Sequence, residues 1–132
     1  MEKLIKESHG MARNNGFWDE ERNVPEMLML VVSELSEALE ALRKNHYADD
    51  VAVKELYRDI ELDVTDEEFK FMKEPWKAGF EKNVKSSFED EIADVAIRLF
   101  DLCGGLNIDL QKHIELKMKY NSMRPYKHGK KF

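Results

Sequence analysis

The sequence predicts an all-α fold: a helical bundle of about four main helices with a helical insertion, completed by oligomerisation. Three observations predict it. Glycine and proline are scarce, at six and three among 132 residues, so few sharp turns are available. Apolar residues recur at helical spacing in two long stretches, Met27 to Leu42 and Phe88 to Cys103. Capping signals stand at the heads of several segments.

The first helix is expected from about Glu2 to Asn14, where Asn14-Asn15-Gly16 stops it. Phe17-Trp18-Asp19 then makes an aromatic loop. The second helix starts at Asn23, a good capping residue, with Pro25 in the first turn and Glu26 at capping-box spacing, and runs to about Lys44. Within residues 47–85, Val51 to Ile60 reads as a short helix. Thr65-Asp66-Glu67-Glu68 opens another, which Pro75 is expected to end. Tyr57, Phe69, Phe71, Trp76 and Phe80 make this stretch a structured insertion and not a linker, inside a single domain of residues 1–132. Ser86 and Ser87, followed by Glu89 and Asp90, open the next helix, which is expected to run to Cys103 and stop at Gly104-Gly105. The last helix starts near Asp109 and ends before Pro125. A basic stretch, Tyr126 to Phe132, follows.

Composition narrows the function. Hydrophobic residues at 42% and charged residues at 36% describe a folded domain with a charged surface. A net charge of −6 is the wrong sign for generic binding to a nucleic-acid polymer. Single nucleotides stay open, because a metal ion can carry their phosphates. Cys103 is the lone cysteine, which rules out an internal disulfide. With no signal peptide visible, a cytoplasmic location is expected. The longest apolar run, Met27 to Val32, is too short to cross a bilayer, so no membrane partner is expected.

Two strings echo each other. Glu34-Leu35-Ser36-Glu37-Ala38 and Glu91-Ile92-Ala93-Asp94-Val95 both read acid, apolar, small, acid, apolar. Met27, Leu28, Val31, Leu35, Ala38, Leu39 and Leu42 form one apolar stripe. Phe88, Ile92, Val95, Ala96, Leu99, Leu102 and Cys103 form another. Glu34 and Glu91 border their stripes at matching places, with Glu37 and Asp94 one turn further along. Packing the stripes together converges four carboxylates. Folding gains nothing from that, since clustered anions repel unless a proton or a cation intervenes. Oxygen-only ligands suit a hard cation, Mg2+ or Mn2+, and helical bundles build such sites from facing helices. The opposing reading is a pair of solvated acidic faces, the usual fate of Glu and Asp.

Glu-x-x-Glu on one helix and Glu-x-x-Asp on a later one resembles the signature of the MazG-like nucleotide pyrophosphohydrolases, an all-α group that includes the dimeric dUTPases. Lys117-Met118-Lys119-Tyr120-Asn121, followed by Arg124, is similar to the family's Lys-x-x-x-Asn motif. The resemblance covers the second helix and everything from Ser86 onward. It implies Mg2+-dependent hydrolysis of a nucleoside triphosphate to the monophosphate and pyrophosphate, possible nucleotide-pool cleansing, and a homodimer or higher homo-oligomer. It also implies that Glu34, Glu37, Glu91 and Asp94 are the metal ligands and catalytic acids. Two departures stand out. Ser33 occupies a place where family members often carry a further acid, which leaves the number of metals open. The gap at 47–85 is long, which leaves the substrate and the oligomer open.

Lys117, Asn121 and Arg124 recur at spacings of four and three and are expected on one helix face, suited to phosphate. Lys127 is a further phosphate candidate, with His128, Lys130 and Lys131 close behind. The other reading of this cluster is a solvated basic tail at a helix end. Trp18 and Phe17 could stack on a base or simply cap the core; Trp18 is the substrate-binding candidate, and His9 could face the same pocket. No zinc spacing and no Gly-rich phosphate loop occurs. A di-iron carboxylate oxidase would need Glu-x-x-His pairs, which are missing. The remaining alternative is a non-enzymatic helical interaction protein with the insertion as its binding surface.

Overall fold

Helix ends fall where side chains take up otherwise orphaned amides. Asp49 accepts the Ala52 amide. Thr65 and Glu68 close a reciprocal capping box, at 3.2 and 3.0 Å. Asp109 accepts the Lys112 amide. Ser87 Oγ accepts the Asp90 amide, while the Asp90 carboxylate accepts the Ser86 amide at 2.8 Å. Between these caps the computed structural model, which describes residues 1–62 and 64–126, holds six helices and no strand among those residues. They are α1 (Glu2–Asn14), α2 (Val24–Arg43), α3 (Asp50–Glu61), α4 (Asp66–Asn83), α5 (Phe88–Gly105) and α6 (Leu110–Ser122). The all-α expectation holds. No helix among the described residues is long and apolar enough to cross a membrane.

One element boundary differs from the sequence reading. Pro75 does not end α4, which continues to Asn83 with Pro75 inside it. A proline costs a helix the bond to the carbonyl four residues earlier, here that of Phe71. Phe71 is 87% exposed, so the turn that loses this bond lies at the surface and not in the core. The α5 helix ends at Gly104-Gly105 as expected, with both glycines as its last two residues.

The chain groups into two compact units. One comprises Met1–Val24 with Ile97–Phe132 and holds α1, the C-terminal half of α5, and α6. Its organising residue is Asp101, buried on α5. Trp18 Nε1 donates to its Oδ1 at 2.8 Å, Arg22 donates to Oδ2 at 3.1 Å, and His9 Nδ1 lies 2.9 Å from Oδ1. His9 meets the Trp18 ring edge-on at 5.0 Å. The two glycines make room for this. A Cβ on Gly104 would lie 2.6 Å from His9 Cβ, and one on Gly105 would collide with the Trp18 ring.

The other unit is Pro25–Ala96, holding most of α2, then α3, α4 and the first half of α5. Helices α3 and α4 form a hairpin. Trp76 donates its indole N–H to the Leu56 carbonyl at 3.1 Å and stacks on Phe80. The segment after α2 is tied to the start of α5. Phe88 N–H donates to His46 O at 2.8 Å, and Ala48 N–H donates to the Glu89 carboxylate at 2.9 Å. Asp49 N–H donates to Asn83 O, closing the hairpin onto the same segment. Asn45 and Ser86, both with positive φ, turn the chain at either side.

The apolar stripe expected on α2 is split. Met27, Val31, Ala38 and Ala41 are buried, and Glu34 is buried in the same row. Leu28, Val32, Leu35, Leu39 and Leu42 stay between 42% and 50% exposed. The inward face is therefore turned from the apolar centre toward the acids.

Gly105→Ala sets two effects against each other. Alanine gains about 1 kcal/mol of helix propensity over glycine. Overpacking costs about 1–3 kcal/mol, and Trp18 cannot swing away without losing its bond to Asp101. The expected outcome is a lowered melting temperature, measured by circular dichroism. A melting temperature at or above the parent's would show that Trp18 is free to move.

Candidate metal centre

Glu34 and Glu37 stand one turn apart on α2, and Glu91 stands in the first turn of α5. The ties from His46 and Ala48 to Phe88 and Glu89 hold that first turn beside the end of the segment leaving α2. One carboxylate oxygen from each of Glu34, Glu37 and Glu91 lies within 4.8 Å of the others. Glu34 and Glu91 are buried, and Glu37 is exposed, which leaves the cluster an open side. All of these residues belong to the Pro25–Ala96 unit.

The electrostatics follow from the crowding. Burial, and then the charges of Glu37, Asp94 and Glu34, push the Glu91 carboxyl up to about 7. Glu37 is raised as well, first by its hydrogen bond with Glu34 and then by the Glu34 charge. Asp94 adds its charge to both, one turn along α5, but it is not among the three whose oxygens come within mutual reach. The structure therefore gathers three of the four acids expected from sequence and sets the fourth beside them.

The residues fit a hard divalent cation. The donors are all carboxylate oxygens, they come from two helices, and without a cation the Glu91 carboxyl is pushed up to about 7. This acidic triad could bind a metal ion.

The other candidates lie in the Met1–Val24 and Ile97–Phe132 unit. Lys117 and Arg124 converge on a residue not singled out from sequence. Their charged ends lie 5.0 and 5.9 Å from the Tyr120 ring centroid. Arg124 sits beyond the end of α6, so the trio does not share one helical face as expected. Asn121 Oδ1 is buried with no hydrogen-bond partner among the described residues. Lys127, with His128, Lys130 and Lys131, lies outside the described residues. Trp18 and His9 are drawn into the Asp101 network described above. Phe17 is 60% exposed, with the Arg22 guanidinium 5.7 Å from its ring centroid. A cleft of about 570 Å³ in this unit is lined by Ile5, Lys6, Cys103, Ile108 and Lys112, among others. None of the clustered acids lines it.

Sequence reasoning missed Asp101. The signal was present, since Asp101 lies seven residues after Asp94 and so on the same side of α5. It also took Glu89 for a capping acid. Glu89 accepts the Ala48 amide, and that backbone hydrogen bond holds its carboxyl below the ordinary range.

The raised carboxyls carry a pH signature. A carboxyl whose affinity for the proton rises on folding stabilises the fold below its unfolded value, and that stability is lost as pH rises through the folded value. For Glu91 the window runs from about 4.5 to about 7. The lowered groups Glu89 and Asp109 act oppositely, and only at more acid pH. Metal-free protein should therefore melt lower at pH 8 than at pH 5.5, and Glu91→Gln should flatten that slope. Parallel slopes for parent and variant in thermal melts would show that Glu91 is not crowded by the other acids.

No protein-family model, curated protein or solved structure matches this chain. The functional reading rests on the residues themselves.

Proposed function

We propose that the chain is a MazG-like nucleoside triphosphate pyrophosphohydrolase, acting on (d)NTPs with Mg2+, or with Mn2+ in its place. The observation that carries this reading is the triad Glu34, Glu37 and Glu91, three carboxylates brought within reach of one cation from two helices. The Lys-x-x-x-Asn motif at Lys117 and Asn121 supports it from sequence. In this reading the protein is a cytoplasmic homodimer or higher homo-oligomer that cleanses nucleotide pools.

Glu34, Glu37 and Glu91 would hold the cation, with Asp94 reinforcing the negative field. When bound, the cation supplies charge neutralisation at the phosphates and acidifies water. The reaction is attack of water on the α-phosphorus. The bond from that phosphorus to the oxygen bridging to the β-phosphate breaks, and pyrophosphate leaves. A carboxylate of the cluster accepts the proton from the attacking water. Glu37 is the exposed member and the one reachable from solvent. Lys117, Asn121, Arg124 and Lys127 keep the phosphate-binding role that the resemblance implies, and Trp18 that of a base contact.

A second reading is a helical interaction protein. Its support is the α3–α4 hairpin, where Phe71 is 87% and Tyr57 58% exposed. Incubation with each (d)NTP and Mg2+ separates the two. Monophosphate and pyrophosphate are the expected products. Diphosphate and orthophosphate as the sole products, or no turnover of any nucleotide, would reject the proposal.

Glu37→Gln tests the site directly. Gln keeps the shape and removes one charge, so the metal-free variant should melt at or above the parent's temperature. Mg2+ at a hundredfold excess over Kd should add about 2.7 kcal/mol to the parent. The variant should gain much less and lose most activity. Equal Mg2+ shifts with intact turnover would remove Glu37 from the site.

A further inference from the structure

The stop signal at the end of α1 carries a chemistry of its own. Of the asparagines in the sequence, Asn15 alone is followed by glycine. The backbone nitrogen of the next residue can attack an asparagine side chain, because the attack closes a five-membered ring. A side chain on that next residue shields the nitrogen, and glycine leaves it bare. Asn23, Asn83 and Asn107 are followed by Val24, Val84 and Ile108, whose branched Cβ atoms crowd it. Asn121 is followed by Ser122 within α6, where the helix fixes the amide.

The fold itself demands this glycine. Gly16 stands at φ 82°, the left-handed conformation that closes a helix and that side chains resist. Its N–H donates to the Arg13 carbonyl at 3.0 Å, and the Phe17 N–H donates to the Ala12 carbonyl at 3.0 Å. Asn15 caps α1 at φ −88° and ψ 8°. Both residues are exposed. The residue that ends the helix is thus the one that bares the nucleophile. The same turn also restrains it. Attack requires the Gly16 nitrogen to swing toward Asn15 Cγ, which rotates Asn15 ψ and breaks the bond to Arg13. That opening is confined to an exposed helix end, where local unfolding costs least.

We propose that Asn15 is a spontaneous modification site, converted by its own chain to aspartate and isoaspartate at a rate set by the opening of the Asn15–Gly16 turn. Base removes the Gly16 amide proton, and the nitrogen forms a bond to Asn15 Cγ. The side-chain nitrogen takes up a proton and leaves as ammonia. Water then opens the cyclic imide. Breaking the bond from the Gly16 nitrogen to Cγ leaves aspartate. Breaking the bond from that nitrogen to the main-chain carbonyl carbon leaves isoaspartate, with one more carbon in the backbone. Either product puts a negative charge at the C-terminal end of α1, where the helix dipole opposes it. The Asp19 carboxylate already lies there, 3.1 Å from where a Cβ on Gly16 would stand. Isoaspartate also lengthens the link from α1 to Trp18, which is bonded to Asp101 and packed on Gly105 with no room for a Cβ. The longer link disturbs that seat. The proposal is independent of the nucleotide chemistry and stands or falls without it.

The test is ageing of the full chain in mildly alkaline and mildly acid buffer, with ammonia release measured and peptides mapped by mass spectrometry. Fragmentation separates Asn15 from Asn14 and isoaspartate from aspartate. Asn15 should exchange its NH2 for OH several-fold faster than any other asparagine. The exchange should be faster in the alkaline buffer, and faster again in urea, where the turn is gone. Aged protein should melt lower than fresh protein, whereas Asn15→Ser should age without that loss. Should the serine variant fail to fold, peptide mapping of the parent chain still decides. Another asparagine converting first in the folded chain would overturn the proposal. So would Asn15 left intact in folded protein over a time in which the urea-unfolded chain converts, an equal rate at Asn15 in urea and in native buffer, or a folded Asn15→Ser that loses melting temperature as the parent does.

Discussion

Three like charges gathered in a half-buried place repel one another, and the Pro25–Ala96 unit is organised around withstanding that repulsion. Nothing in the hydrophobic effect draws Glu34 and Glu91 inward; burial of an anion is opposed by its lost hydration. What holds them is polar and local. The His46 carbonyl takes the Phe88 amide, the Glu89 carboxylate takes the Ala48 amide, and the Asn83 carbonyl takes the Asp49 amide. Ser87, with no exposed surface, and Asp90 fix the start of α5 from its other side. These bonds pin the first turn of α5, and so Glu91, where packing alone would not.

The α5 helix carries two buried acids in opposite circumstances. Asp101 is met by an indole N–H, a guanidinium and an imidazole, so its burial is matched by donors. Glu91 is met by other carboxylates and holds its proton to about pH 7. A buried acid supplied with donors ties a fold together. A buried acid surrounded by acids keeps its proton more tightly, and such a group could bind a metal ion. Nearly three turns of one helix thus separate a carboxylate matched by donors from one crowded by other acids.

Much of this was legible in the sequence, because capping and periodicity are local effects. The Thr65–Glu68 box, the start of α6 near Asp109 and the approximate limits of α1 and α3 followed from short-range rules. The acidic echo pointed to Glu34, Glu37 and Glu91 because matched spacing on two amphipathic helices constrains where side chains meet. The failures were of another kind. Pro75 was read as a stop because the rule cannot see that the carbonyl it orphans belongs to a residue open to water. Gly104 and Gly105 were rightly read as the end of α5, but the room they make for His9 and Trp18 was hidden, because it acts across the fold, about 90 residues away in sequence. Arg124 was placed on a helical face that ends before it. The α2 stripe was read as one surface because a helical wheel shows which residues are apolar and not which half meets a neighbour.

The two rows on α2 have a consequence for the folding landscape. Each is the other displaced by one residue, so rotating the helix by roughly 100° would bring the second row to where the first now lies. The row that ends up inside holds a glutamate and two alanines; the row left outside holds four leucines and a valine. Collapse driven by greasiness alone favours the second row, and the native arrangement is therefore locally frustrated. The Phe88 and Ala48 amide bonds tie the segment leaving α2 to the first turn of α5, on which Glu91 stands, and so accompany the orientation of α2 that is poorer in oil.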